Sequence, residues 1–231
     1  MNRPYVICHM LSSLDGKVTG DFLFRDECSL ATELYYEINR DYVADAFACG
    51  RITMEGSFTG ENFPNLSKYD NLYSQKHDFV AKYDKKFFAV SFDPHARLGW
   101  KTSTIEDGDP GYGGAHIIEV LTEDIDPRFP QYLEDVGVSY IYAGKDSVDV
   151  QFALEKLYDL FGIQTLLLEG GSILNGAFLR AGAIDEISLV VAPVLASGED
   201  KPIFMNSTIT DMRLAGLDEK DGILLLKYKI Q

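Results

Sequence analysis

Apolar residues in this chain gather into eight short runs: Tyr5–Leu11, Ala44–Cys49, Phe87–Phe92, His116–Leu121, Ser139–Ala143, Thr165–Leu168, Glu186–Pro193 and Gly222–Ile230. Each has the length of a strand. Several are apolar on consecutive residues rather than on alternate ones, which predicts strands covered on both faces by helices. Helical patterns separate them. Val150, Ala153, Leu154, Leu157 and Phe161 recur at three- and four-residue steps, with Asp149 placed to cap the start and Gly162 to stop the end. Ile173, Leu174, Ala177, Phe178 and Ala181 repeat the pattern up to Gly182, and an earlier helix is expected from Ser29 to Arg40. Strand and helix in alternation predict right-handed parallel crossovers.

The C-terminal runs break that rhythm, because no helical pattern separates "EISLVVAP" from "GILLLKYKIQ". An antiparallel edge is expected there, with Leu224, Leu226, Tyr228 and Ile230 on one face and Lys227 and Lys229 on the other. The expected fold is therefore one α/β domain over 1–231. It has three layers: a mixed, mostly parallel sheet with helices on both faces and an antiparallel C-terminal edge. The polar stretch Phe58–Lys85 carries Phe58, Phe63, Tyr69, Tyr73, Phe79 and Tyr83. It reads as a surface excursion packed by its own aromatics, with a substrate lid as the sharper alternative.

Charge narrows the function. The net charge is −15, which disfavours a nucleic-acid partner and demands local help for any polyanionic ligand, such as helix N-termini or a well-placed Arg or Lys. Cys8, Cys28 and Cys49 are widely spaced and the four histidines are scattered, so neither a disulfide framework nor a metal site is expected. The first apolar run is short and soon followed by Asp15 and Lys17, which points away from a signal peptide or membrane span. A cytoplasmic protein acting on a small molecule is the expectation.

Three strand exits carry candidate chemistry. "LLLEGGSILNGAFLRAG" places Glu169 where a buried strand ends, then Gly170 and Gly171, then a helix from Ser172. Glycines let a phosphate approach the backbone, and the helix start offers free N–H groups; a plain tight turn explains the glycines equally well. "SSLDGKV" follows the first strand, with Asp15-Gly16 as the turn and Lys17 as a cation at the sheet edge. "CGRITMEG" supplies Gly50, Arg51 and Thr53 at another strand-to-helix corner, and an arginine fork suits phosphate. Three such corners together are harder to dismiss than any one.

Taken in order, "SLDGKV", "GRIT" and above all "LLLEGGSILNGAFLRAGAIDEISLVVAPVL" resemble the reductase domain of riboflavin biosynthesis, which has a dihydrofolate-reductase-like fold. The resemblance implies hydride transfer from NADPH to a ribosylamino-pyrimidine phosphate, as in a 5-amino-6-(5-phosphoribosylamino)uracil reductase. It implies catalytic roles for Lys17, Glu169 and Asp26, and cofactor contacts from Gly50, Arg51, Thr53, Gly170, Gly171 and Ser172. Ser91 joins the cofactor candidates, since Ser91 and Arg97 are two of several equal placements for the 2′-phosphate contact. Ser13 and Asp15 become substrate-binding residues, the Gly-Gly corner holds the pyrophosphate, and a homodimer is implied. A stand-alone reductase without a deaminase half is expected, since the H-x-E and P-C-x-x-C elements of zinc deaminases are absent. Where relatives carry "DDPxLxxR", this chain reads "GSFTGENFPNLSKYD". That departure keeps open another pterin, imine or carbonyl substrate on the same fold, or a non-catalytic NADPH-binding protein.

Overall fold

The structure, a computed structural model, describes residues 2–60, 62–69 and 76–231. Nine strands are present among them: β1 (Tyr5–Ser13), β2 (Ala46–Gly50), β3 (Phe88–Phe92), β4 (His116–Leu121), β5 (Ser139–Tyr142), β6 (Thr165–Leu168), β7 (Glu186–Ala192), β8 (Met212–Lys220) and β9 (Ile223–Ile230). The α-helices are α1 (Ser29–Asp41), α2 (Arg51–Met54), α3 (Phe129–Val136), α4 (Val150–Phe161) and α5 (Ser172–Arg180). The chain forms two compact units: unit 1 holds residues 1–4 and 45–166, and unit 2 holds 5–44 and 167–231.

In unit 1, β5, β4, β3 and β2 lie side by side in that order, all parallel. Every residue of β3, β4 and β5 is buried, including the polar Ser91, His116, Glu119 and Ser139 within these mostly apolar runs. Asp149 caps α4 by accepting from the Phe152 amide at 3.1 Å, and Gly162 ends the helix in the left-handed region at φ 72°. Helix α3 was not foreseen. Its eight residues are too few for a clear period, although Pro130 near its start and the left-handed Gly137 at its end mark both boundaries.

Among the described residues, the aromatics of Phe58–Lys85 pack on partners outside the segment. Phe58 meets Phe47 and Tyr112, Tyr69 meets Tyr132, Phe79 meets Tyr140, and Tyr83 meets Phe88 and His116. Phe63 is exposed, and Tyr73 lies outside the described residues. The segment seals the outer strand: Asp78 accepts from the Tyr142 amide at 2.9 Å, and Ser139 Oγ accepts from the Ala81 amide at 3.0 Å. Covering an edge in this way removes a template for mispairing.

In unit 2, β1 and β7 are parallel, while β7–β9 and β9–β8 are antiparallel. The expected antiparallel C-terminal edge is therefore present, but β8 was missed. Eight of its nine residues are exposed and a bulge interrupts it after Leu214, so no buried stripe advertises it. Helix α1 covers one face, where Ala31 and Leu34 join Val190, Ala192 and Ile223 in the core.

His9 anchors that helix. Its ring stacks on Tyr35 with centroids 4.5 Å apart. Nε2 sits 3.0 Å from the Tyr35 carbonyl, which only accepts, so Nε2 carries the proton and Nδ1 accepts from Ser188 Oγ at 3.1 Å. Burial pushes His9 down to about 4 from 6.5. The unfolded chain thus takes up this proton at higher pH than the folded one. The stabilisation is complete above pH 6.5 and drains away as pH falls toward 4. Replacing His9 by Asn should flatten the acid loss of unfolding free energy across that window by about 3 kcal/mol. Urea melts at stepped pH check it, and an unchanged slope refutes the assignment.

Candidate functional site

The corner after β6 belongs to unit 2 from Leu167 onward. Its strand delivers Glu169 into a site where the residue is only 7% exposed. Asn39 of α1 donates from Nδ2 to Glu169 Oε1 at 2.6 Å. The Cys8 thiol of β1 lies near enough that Glu169 adds to the upward push that burial gives it. Gly170 follows with φ at 96°, a conformation that needs glycine, and a Cβ there would stand 3.3 Å from Met10 Cε. The Gly170–Gly171 peptide is cis.

Gly171 occupies the N-cap of α5 and no side chain caps that helix. The hydroxyl of Ser172 and the Oδ1 of Asn175 are buried there without a hydrogen-bond partner among the described residues. Buried polar groups of native proteins are normally satisfied. An uncapped helix start, two glycines and two unsatisfied oxygens together suit a ligand with phosphate and hydroxyl groups.

The Ser12–Val18 loop is closed by its own side chains. Ser13 Oγ donates to Asp15 Oδ1 at 2.7 Å and accepts from the Lys17 amide at 3.0 Å. Asp15 Oδ1 also accepts from the Ala196 amide, and these bonds hold its carboxyl below the usual range. Ser13 and Asp15, expected to bind substrate, spend these hydrogen bonds on the turn. Lys17 Nζ donates to the Asp200 carbonyl at 2.9 Å. The segment Asp200–Asn206 then links this loop to α5. Val18 and Ile203 bond across it to Lys201 and Gly16, while the Met205 amide donates to the Ser172 carbonyl at 3.0 Å and Asn175 Nδ2 to the Ile203 carbonyl at 3.0 Å. Lys17 and the head of α5 thus share one strap.

Asp26 lies exposed in the 3-10 turn that leads into α1, and its carbonyl accepts from Ser29 Oγ. The structure therefore gives it a place at a helix entrance, with no contact to Lys17 or Glu169 among the hydrogen bonds described. Gly50, Arg51 and Thr53 sit in unit 1 at the β2–α2 corner, as the spacing predicts. Arg51 donates to Glu55 one turn on; burial raises the Asp93 carboxyl above its usual range, partly opposed by the Leu98 and Arg97 amides and by the Arg51 charge. Ser91 is fully buried within β3, in register with Glu119 of β4. Glu119 itself accepts from the Trp100 indole, and burial, helped by Asp93, raises its pKa well above the normal carboxylate range. Among the described residues no group of three or more His, Cys, Asp or Glu is placed to hold a metal ion.

The comparisons with known proteins bear on these corners. A family model described as the RibD C-terminal domain matches residues 113–222. A Methanothermobacter thermautotrophicus protein named 2,5-diamino-6-ribosylamino-4(3H)-pyrimidinone 5′-phosphate reductase is 36% identical over 230 residues, covering 98% of this chain and 92% of that protein. The chain belongs to this riboflavin-biosynthesis reductase family. An Aquifex aeolicus protein of the same name is 37% identical over 205 residues, 87% of this chain and 82% of that one. Two solved structures share the fold. A pyrimidine reductase-like protein of Corynebacterium diphtheriae has a TM-score of 0.67 at 16% identity, covering 99% of this chain and 92% of its own. Acinetobacter baumannii RibD has a TM-score of 0.64 at 20% identity, and the present chain spans 58% of its length.

Membership in the reductase family implies a nicotinamide cofactor, and the α5 corner meets the test of fit: its uncapped helix start and orphaned Ser172 hydroxyl suit a pyrophosphate. Reading the sequence missed Asn39, Asn175 and the Asp200–Asn206 strap. Asn39 left one trace: it stands four residues beyond Tyr35 and eight beyond Ala31, a lone amide in an inward-facing helical stripe. The strap left none, since it is held through backbone carbonyls. It does depend on one glycine. A Cβ on Gly176 would stand 1.8 Å from the Met205 carbonyl oxygen. In an ordinary helix Gly→Ala stabilises by about 1 kcal/mol. Here Gly176→Ala should instead lower unfolding free energy by about 1–3 kcal/mol and speed amide exchange at Met205. Denaturant melts and hydrogen exchange check the sign.

Proposed function

We propose that this protein uses NADPH to reduce the ribosylamino group of 2,5-diamino-6-ribosylamino-4(3H)-pyrimidinone 5′-phosphate to a ribitylamino group. The observation that carries the proposal is 36% identity to a reductase of that name across 98% of the chain. The uncapped Gly-Gly corner supports it as a seat for the cofactor's pyrophosphate. The opened form of the sugar presents a C1′=N bond. Reduction adds hydride at C1′ and a proton at nitrogen, and NADPH leaves as NADP⁺.

When bound, NADPH supplies the hydride. The remaining work falls to the chain. Glu169, held by Asn39, is assigned to orienting an amide or amino group of the pyrimidine or the nicotinamide. Lys17 is assigned as proton donor or polarising cation, after its ammonium exchanges the Asp200 carbonyl for substrate. Gly170, Gly171 and Ser172 are assigned to the cofactor. The resemblance adds Gly50, Arg51 and Thr53 of unit 1 to the cofactor residues. A cytoplasmic setting is proposed with it. No helix among the described residues is long and apolar enough to cross a membrane.

The test is titration with NADPH and with NADH, followed by loss of nicotinamide absorbance with the diamino-pyrimidinone substrate and with its deaminated counterpart. NADPH should bind more tightly and turn over with the diamino compound. Lys17→Ala should then cut turnover by about 100-fold or more. Unchanged turnover removes Lys17 from the chemistry, and absence of binding by either cofactor ends the reductase reading.

A homodimer is also proposed. Pairing across the C-terminal strands places Leu189, Leu226 and Leu217 in one row, and Leu214 beside Tyr228 on the same face. Leu214 and Leu217 are 49% and 62% exposed. A row of that kind suits an isologous contact. Leu217→Glu should convert a dimer to monomer in sedimentation velocity; a wild-type monomer at micromolar concentration refutes the proposal.

A further inference from the structure

We propose that Asn39 is a positioning residue of the reaction, acting through Glu169 by fixing the direction in which its carboxylate points. This rests on the reading of Glu169 as a residue of the active site. The amide belongs to α1 and the carboxylate to the exit of β6, 130 residues later, and they meet at 2.6 Å in the interior. Asn39 is 5% exposed and Glu169 is 7% exposed.

The helix carrying the amide is clamped on both sides of it. Four residues before, Tyr35 stacks on His9 of β1. Three residues after, the Tyr42 hydroxyl donates to Glu186 Oε1 of β7 at 3.0 Å, and Lys227 of β9 lies over the Tyr42 ring. Asn39 therefore has little freedom to follow a moving partner. A carboxylate bonded to it through one oxygen is held in orientation, with the direction set by the docking of α1.

The choice of residue type matters. A lysine or arginine in this place would neutralise Glu169 as it bound it. An amide donates a hydrogen bond and adds no charge. The carboxyl group stays an acceptor for donors on a pyrimidine or nicotinamide ring. A preorganised acceptor of this kind is effective only when its direction is fixed in advance.

A double-mutant cycle tests the inference, with NADPH turnover of the diamino-pyrimidinone and thermal melting as the two readouts. Asn39→Ala should lower kcat by about 10- to 100-fold, with a smaller effect on the KM for NADPH. Placed on Glu169→Gln, the same change should cost no further turnover, because its effect runs through the carboxylate. If the two losses multiply, Asn39 is merely structural and the inference fails. If Glu169→Gln leaves turnover intact, the active-site reading of Glu169 fails instead, and this inference falls with it.

Should Asn39→Ala not fold, the cycle is run with the isosteric Asn39→Asp. The exchange variant, Asn39→Asp with Glu169→Gln, keeps a hydrogen bond with donor and acceptor reversed. Its melting temperature should return toward wild type while turnover stays at the Glu169→Gln level. Recovery of turnover in the exchange variant overturns the proposal.

Discussion

A carboxylate at the end of a strand of leucines constrains unit 2 more than any other group. Leaving Glu169 buried and unpaired would cost several kcal/mol, enough to consume much of a domain's net stability. The fold meets that cost with an amide from α1, which requires α1 to dock in one position. That docking is in turn held by the His9–Tyr35 stack, the Tyr42–Glu186 bond and the small core of Ala31, Leu34, Val190, Ala192 and Ile223. The features follow as a chain: strand exit, amide, helix, stack.

The strongly acidic balance, −15 overall, sets the second condition. A polyanionic cofactor needs donors placed locally, and the proposed seat at α5 would supply them from backbone N–H groups and one side-chain hydroxyl. Its first turn is uncapped, Gly170 and Gly171 add no side chain, and Ser172 offers a buried hydroxyl. Lys17 adds a cation whose ammonium is presently bonded to a backbone carbonyl. None of these groups is a surface cluster of like charge. Their effect is short-ranged, so the acidic exterior continues to disfavour nucleic acid.

The parts legible in the sequence were those where burial writes a period into the chain. The strands of unit 1, the capped helix α4 and the β6–α5 corner all carry such a record, and they were placed within a few residues. Strand β8 is exposed at eight of its nine positions and carries a bulge, so burial writes no alternation into it. The aromatics after Phe58 were expected to pack on one another, but those described meet partners far away in sequence, such as Phe47 and Phe88. The family was read from contiguous motifs. Asn39 could not be, because its meaning depends on a residue 130 positions away.

The strap between Asp200 and Asn206 touches its neighbours almost wholly through main-chain atoms, and so it recognises shape rather than side chains. The information that specifies it has been displaced onto other positions. Gly176 keeps the space that Met205 occupies, and Gly20 leaves room for Asp200, whose carboxyl lies where a Cβ would stand. The segment itself is thereby released from much sequence constraint. Its side chains are free to be recruited for whatever approaches that side of unit 2, while two distant glycines hold its path.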